Sequence, residues 1–384
     1  MADTGAIEKL NMVRTDYKEA PSMPLENESR IACYVWTDTQ MLNAVNTKVT
    51  YYKNAQAVLF VMMYDRITVT LVDAIAHKGI FDKVIRIPPP PDHGELANWR
   101  RRLRLFFSGR EQQRYLNLYA ADAVFDRILV GGYWGQAFFM LRALYRANPQ
   151  IKVGLLEEGI GTYYRTRSHT CQIYPRTSML EKASRLVYFG GFAKKAQLFM
   201  DTAFVYRPDL LRLKGVKIYP LPPLGDNMEL FDSLFNIWKA FSAYKVYAEA
   251  SDYMFVLSGN YVAKETEARI WQAVKTLRPH ALAVLHPVEK GSMGIPFEAI
   301  CANGNISDKI LIGCMSSCLL TPKYYFRQEP YVIFTFLLYP SAAGLRLKET
   351  WFYAENLKKS YCEPSKIMIP RTMAELEEML KSIG

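Results

Sequence analysis

A chain of 384 residues, 50 % of them apolar, is long for a single hydrophobic core, so two α/β domains are expected and a disordered chain is excluded. The formal charge of +11, from 48 Lys and Arg against 37 Asp and Glu, fits a basic surface, an anionic substrate, an anionic membrane or nucleic acid. The six cysteines (Cys33, Cys171, Cys301, Cys314, Cys318 and Cys362) form neither a dense framework nor a zinc spacing, which leaves reduced, structural thiols.

Residues 1–28 read as a polar, acidic tail with no cationic start followed by an apolar core, so no secretory signal is expected. Ile31 to Trp36 has the composition of a strand; Thr37 and Asp38 are candidate caps, and Met41 to Val49 reads as helix. Ala57 to Met63 reads as a buried strand, Ile67 to His77 as helix or strand, and Lys83 to Ile87 as a strand ended by Pro88 to Pro91. A helical region is expected from Leu96 to about Tyr119. In it Arg100, Arg101, Arg102 and Arg104 alternate with Trp99, Leu103, Leu105, Phe106 and Phe107, the pattern of a membrane-surface stretch or of a solvated helix with one face in the core. Arg127 to Val130 is a short strand, Gln136 to Asn148 a helix, and Ile151 to Leu156 a strand running into Glu157-Glu158-Gly159.

The proline-rich stretch Tyr219 to Asp226 is the expected linker, dividing an acceptor-side domain (29–225) from a nucleotide-sugar-binding domain (226–384). Beyond it the alternation restarts. Strands are expected at Met254 to Leu257, Ala281 to Leu285 and Lys309 to Ile312, with helices at Ala263 to Leu277, Glu349 to Ser360 and Met373 to Ser382. Tyr331 to Leu338 is too short to cross a bilayer and reads as a buried strand or helix. The fold expected is α/β, with two Rossmann-like domains facing a cleft, the architecture called GT-B.

Three polar groups directly follow strands: Glu157-Glu158, His286-Pro287 and Ser316-Ser317. In open parallel sheets ligands bind beyond the carboxyl ends of the strands, so this placement carries information. One carboxylate of the acidic pair could enter the cleft as general base while the other anchors the turn. His286 could act as acid toward a departing phosphate, or be a core histidine bonded to backbone. Ser316 and Ser317 could bind a phosphate or simply cap a helix. Ser258-Gly259-Asn260 is the other place where backbone could approach a nucleotide, and Glu265 on the next helix is a reserve base. There is no phosphate-binding Gly-x-x-x-x-Gly-Lys loop, no Gly-x-Gly-x-x-Gly, no His-Glu-x-x-His and no Gly-x-Ser-x-Gly. The absence of Asp-x-Asp implies a metal-free mechanism.

The acidic pair with its glycine, His286-Pro287 and the serine pair, in this order, resemble the bacterial sialyltransferases. So do Ile31-Ala32-Cys33-Tyr34-Val35-Trp36-Thr37, Gln40-Met41-Leu42-Asn43-Ala44 and Leu155-Leu156-Glu157-Glu158-Gly159-Ile160-Gly161-Thr162-Tyr163. The likeness is to glycosyltransferase family 52, the lipooligosaccharide sialyltransferases, and the related capsular polysialyltransferases. It implies inverting, metal-independent transfer of sialic acid from CMP-sialic acid to a galactose or sialic acid hydroxyl of a surface glycan such as lipooligosaccharide or capsule, with no cofactor. Glu157 or Glu158 would then activate the acceptor and His286 would assist the leaving phosphate. Ser258, Gly259, Asn260, Pro287, Ser316 and Ser317 would hold CMP. With no secretory signal and no run of spanning length, a cytoplasmic enzyme is expected, with the inner face of the membrane as an optional peripheral site, and the resemblance adds a homodimer as an option. Two alternatives stand beside it: another GT-B enzyme with a CMP-Kdo or nucleotide-diphosphate hexose donor, and a nucleic-acid-binding protein using the arginine-rich stretch, which lacks any recognition motif.

Overall fold

The computed structural model describes residues 28–64, 68–89, 113–119, 124–131, 135–167, 200–211, 213, 215–239, 252–258, 263–284, 295–314, 316–339 and 347–383. The chain is an α/β protein whose described residues divide into two compact units, one ending at Pro222 and one beginning at Pro223. The division lies ahead of the boundary expected after Gly225. The linker reading also started too early, because Tyr219 belongs to a strand, Lys217–Pro220, and faces the core at 5 % exposure.

The first unit runs β1 (Arg30–Val35), α1 (Asp38–Tyr51), β2 (Gln56–Met62), α2 (Val69–His77) and β3 (Lys83–Ile87). Helical residues 113–119 precede β4 (Arg127–Val130), and then follow α3 (Gly135–Ala147), β5 (Lys152–Leu156), α4 (Ile160–Arg167), β6 (Met200–Val205) and β7 (Lys217–Pro220). The ambiguous run before His77 is helix. The seven strands are parallel in the order β3-β2-β1-β4-β5-β6-β7. Strands covered on both faces need continuous apolar runs, and β1 and β2 have them: Ile31 to Val35 and Leu59 to Met62 are buried throughout. Tyr51 and Tyr219 pack on Phe204 with ring centroids 5.4 and 5.3 Å away, closing the core on the β6–β7 side.

The second unit comprises α5 (Met228–Phe235), β8 (Tyr253–Val256), α6 (Lys264–Leu277), β9 (Leu282–Val284), α7 (Phe297–Asn303) and β10 (Ile310–Gly313), followed by α8 (Thr321–Phe326), β11 (Tyr331–Phe334), α9 (Leu347–Ser360), β12 (Ile367–Met368) and α10 (Met373–Ser382). Its five strands are again parallel, in the order β12-β11-β10-β8-β9. Trp238, fully buried, packs beside Phe235, which also meets Phe326 of α8. Arg278 donates to the carbonyls of Leu380 (3.2 Å from Nε) and Ile383 (2.8 Å from Nη2), so the free carbonyls at the end of α10 are satisfied from α6.

Helix α1 shows how local sequence sets an element. Thr37 caps it, its Oγ1 accepting from the Gln40 amide at 3.2 Å, and Asp38 places a negative charge in the first turn. At the other end Lys48 Nζ donates to the carbonyls of Tyr52 (2.8 Å) and Lys53 (2.9 Å), satisfying acceptors that the helix leaves open. Among the described residues no helix is long and apolar enough to cross a membrane.

The amino edge of the first sheet is pinned by one buried cation. Arg127, 2 % exposed at the start of β4, donates to Glu28 through Nε (2.6 Å) and Nη2 (2.7 Å), to Asp201 at 3.0 Å and to Thr202 Oγ1 at 2.7 Å. Burial works against its charge, but the bonds to Glu28 and Asp201 prevail and hold its pKa above the ordinary arginine value. The fork thus ties the residues before β1 to β6 across β4 and β5. Arg127→Met strands the buried Glu28 carboxylate, with Lys152 only 3.5 Å away to offset it. The expected loss is about 3 kcal/mol, measured as a lowered urea midpoint, whereas Arg86→Met at an exposed ion pair costs under about 1 kcal/mol.

Candidate active site

In the first unit the strand order reverses between β1 and β4, so the crevice for a ligand opens at the carboxyl ends of these strands and of β5 beside them. Tyr34 pairs with Val130 and Val130 with Leu155, which brings Trp36, Gly131 and the Glu157-Glu158 pair to the same edge.

The two glutamates differ completely in environment. Glu157 is 1 % exposed. Its Oε2 accepts from the Tyr206 amide at 2.8 Å and from the Tyr163 hydroxyl, which itself accepts from the Arg207 amide at 3.0 Å. Its backbone N–H continues the β5–β6 ladder to Phe204 O at 3.1 Å, and its carbonyl accepts from Asn43 Nδ2 at 2.8 Å. Glu157 is therefore the anchor of the turn, with its carboxylate committed to the start of the β6–β7 connection. Glu158 is half-buried. Its backbone N–H donates to Thr162 Oγ1 at 2.8 Å, and its Oε2 accepts from Gln40 Nε2 at 3.3 Å. Gly159 follows with φ +96°, a conformation that favours glycine and that turns the chain from the acidic pair into α4.

Helix α1 supplies the polar groups that hold this pair. Gln40, Asn43, Asn46 and Thr47 lie along it and are all fully buried. Gln40 Oε1 accepts from the Trp36 amide at 2.9 Å, which orients its amide nitrogen toward Glu158. Asn43 Oδ1 accepts from Tyr206 Oη at 2.8 Å, and Asn46 Nδ2 donates to Tyr206 Oη at 3.2 Å and to Pro222 O at 2.8 Å. Opposite Gln40 lies Gly131, where a Cβ would stand 2.3 Å from Gln40 Nε2; no side chain fits there without expelling the glutamine. Gln40 was not among the expected site residues, although Thr37-Asp38-Thr39-Gln40 has the Thr-x-x-Gln form of a capping box. Its side chain reaches back one residue beyond the usual cap, to Trp36, as Glu375 does to the Arg371 amide (2.8 Å) at α10.

In the second unit the order reverses between β8 and β10, where Val256 and Gly313 pair. Ser258 and the Ser316-Ser317 pair follow these neighbouring strands at the carboxyl edge. Ser258 is 2 % exposed; among the described residues its hydroxyl has no hydrogen-bond partner, and its N–H donates to Glu267 Oε1 at 2.7 Å. Glu265, the reserve base, is exposed, and it is Glu267, two residues on and 3 % exposed, that reaches the strand end. Ser316 caps a three-residue turn, its Oγ accepting from the Cys318 amide at 3.3 Å, while the Ser317 carbonyl accepts from Thr321 Oγ1 at 3.0 Å. The capping reading thus describes what Ser316 does. His286, Pro287, Gly259, Asn260 and the arginine-rich stretch around Arg100 lie outside the described residues.

Burial pushes the Cys33 thiol up to about 12 and Cys301 well above its ordinary value, so neither supplies a thiolate at neutral pH. Among the described residues no group of three or more His, Cys, Asp and Glu side chains is arranged to hold a metal ion.

The division between the acids has a direct readout. Glu157→Ala leaves the Tyr206 amide and the Tyr163 hydroxyl without their acceptor and is expected to cost at least about 2 kcal/mol. Glu158→Gln is expected to cost less than Glu157→Ala, because Glu158 is only half-buried. Urea denaturation of the two variants side by side checks the difference.

No protein-family model and no curated protein matches the sequence. Among solved structures the chain is similar to the UDP-GlcNAc 2-epimerase from Neisseria meningitidis bound to UDP-GlcNAc, with 12 % identity, a TM-score of 0.45 and coverage of 92 % of this chain and 99 % of that one. It is also similar to a UDP-glucosyltransferase from Polygonum tinctorium (10 % identity, TM-score 0.47, 94 % and 88 % covered). A third is TcCGT1 in complex with UDP (11 % identity, TM-score 0.49, 92 % and 90 % covered). Likeness at this level assigns the chain to no family and to no activity.

Proposed function

We propose that the protein is a metal-independent, inverting glycosyltransferase that transfers sialic acid from CMP-sialic acid to a hydroxyl of a surface glycan. The observation that supports it best is the half-buried Glu158 carboxylate after β5, beside the strand-order reversal of the first sheet, where it accepts from the Gln40 amide while Glu157 fixes the turn behind it. A carboxylate so placed is suited to take the proton of an acceptor hydroxyl. The acceptor oxygen then bonds to the anomeric carbon as the bond from that carbon to the CMP phosphate oxygen breaks on the opposite face. CMP departs with the bonding pair, and His286 is assigned to protonate or hydrogen-bond the leaving phosphate. Because CMP carries a single phosphate, hydroxyl and amide donors such as those of Ser258, Ser316 and Ser317 are adequate to offset its charge.

CMP release from CMP-sialic acid is the deciding assay, with lactose, galactosyl lipooligosaccharide and sialyl oligomers as acceptors. The wild type is expected to release CMP in the presence of EDTA. Glu158→Gln should lower kcat by about 10²–10⁴-fold with little change in the KM for the donor. CMP-Kdo, UDP-glucose and UDP-GlcNAc run in parallel. Turnover of one of these and not of CMP-sialic acid would replace the donor, and retained turnover in Glu158→Gln would remove the assigned base.

A further inference from the structure

We infer that Glu267 is a positioning residue of the donor site, its carboxyl group fixing the backbone of Ser258 where the chain leaves β8. The inference rests on the reading of Ser258 as a residue that binds the donor. Three observations carry it. The Leu257 N–H continues the β8–β9 ladder to Val284 O at 3.0 Å, but the next N–H, that of Ser258, goes instead to Glu267 Oε1 at 2.7 Å. Glu267 is 3 % exposed in the first turn of α6, nine residues beyond Ser258, so this contact joins the end of β8 to the start of α6. Finally, Ser258 engages Glu267 through its N–H alone: its hydroxyl is buried and has no hydrogen-bond partner among the described residues.

Removing a carboxyl group from water is costly, and an apolar side chain would cover the strand end without that cost. What the glutamate supplies is a fixed acceptor for one backbone N–H. Lys264 Nζ, on an exposed side chain, lies 3.7 Å from Oε2, which leaves Oε1 to Ser258. A backbone held at the first residue past the ladder carries its side chain with it. The neighbouring strand is set from the same level. Val256 pairs with Gly313 at the end of β10, where an added Cβ would stand 3.0 Å from Val256 O, so the segments carrying Ser258 and Ser316 leave the sheet from residues in close contact. A donor that meets groups already held in place does not spend binding energy on ordering them.

Calorimetric titration of CMP into the full-length protein separates this role from a purely structural one. Glu267→Leu fills the space without offering an acceptor, and Glu267→Ala removes the side chain. Each is expected to weaken CMP binding at least about fivefold and to raise the donor KM in step, with kcat within about threefold of the wild type. Glu267→Gln keeps an acceptor for the Ser258 N–H and should bind CMP within about twofold of the wild type. Ser258→Ala should weaken binding as well, and Glu267→Leu should add nothing in that background, because both changes act through one residue. Independently of any ligand, the Ser258 amide hydrogen should exchange slowly in the wild type and in Glu267→Gln and rapidly in Glu267→Leu. Wild-type CMP affinity in Glu267→Leu or Glu267→Ala, a glutamine variant as weak as the leucine one, or additive losses in the double variant would each overturn the inference. Absence of CMP binding by the wild type, or unchanged affinity in Ser258→Ala, would remove the reading of Ser258 and the inference with it. Weakened binding in Ser258→Ala but not in Glu267→Leu would remove the inference alone.

Discussion

A polar side chain removed from water must find a partner, and α1 fully buries four neutral amide and threonine side chains, Gln40, Asn43, Asn46 and Thr47, where a helix packed on a sheet usually presents aliphatic groups. Each finds that partner at the carboxyl edge of the first sheet or in its own helix. Gln40 takes Trp36 and Glu158, Asn43 the Glu157 carbonyl and Tyr206, Asn46 Tyr206 and Pro222, and Thr47 the Asn43 carbonyl at 2.7 Å. The turn after β5, the residue after β1 and the connection after β6 are thereby referred to one rigid element. An apolar α1 would cover the same strands but would leave these three segments to find their positions separately.

The two edges of this sheet use different electrostatics. At the amino edge Arg127 is neutralised by Glu28 and Asp201, so the charges there hold backbone together. At the carboxyl edge the Glu157 carboxylate accepts from the Tyr206 amide and the Tyr163 hydroxyl, and the Glu158 carboxylate accepts from the Gln40 side-chain amide. The single left-handed step at Gly159 lets the chain turn away after the pair, so the Glu-Glu-Gly order follows from backbone geometry as well as from chemistry.

Much of this was legible in the sequence because apolar runs and their stops are local signals. Lys83 to Ile87 was bounded correctly, since Pro88 cannot continue a ladder, and Met373 to Ser382 was bounded by Thr372, which caps it. The strand Met200–Val205 went unread because Asp201 and Thr202 break its apolar pattern; both face Arg127, a partner far away in the sequence. Tyr219 was taken for linker because prolines surround it, yet its ring stacks on Phe204. The acidic pair was found, but the assignment of anchor and half-buried acid needed Tyr163 and Tyr206 to be placed. Glu265 was named as reserve base and Glu267 went unread, because the helical phase at the start of α6 cannot be read from the sequence. Gln40 was read only within the family resemblance; its bond to Glu158 spans 118 residues and exists only once β1 and β5 lie in one sheet.

Helix α1 has one more pair of attachments. Asn46 holds the Pro222 carbonyl, and Tyr51, a turn further along, donates its hydroxyl to the Pro220 carbonyl. The point where the chain leaves the first unit is thus bolted to the same rod that carries Gln40 and Asn43. The helix that positions the residue after β1 and the turn after β5 therefore also fixes the place where this unit ends.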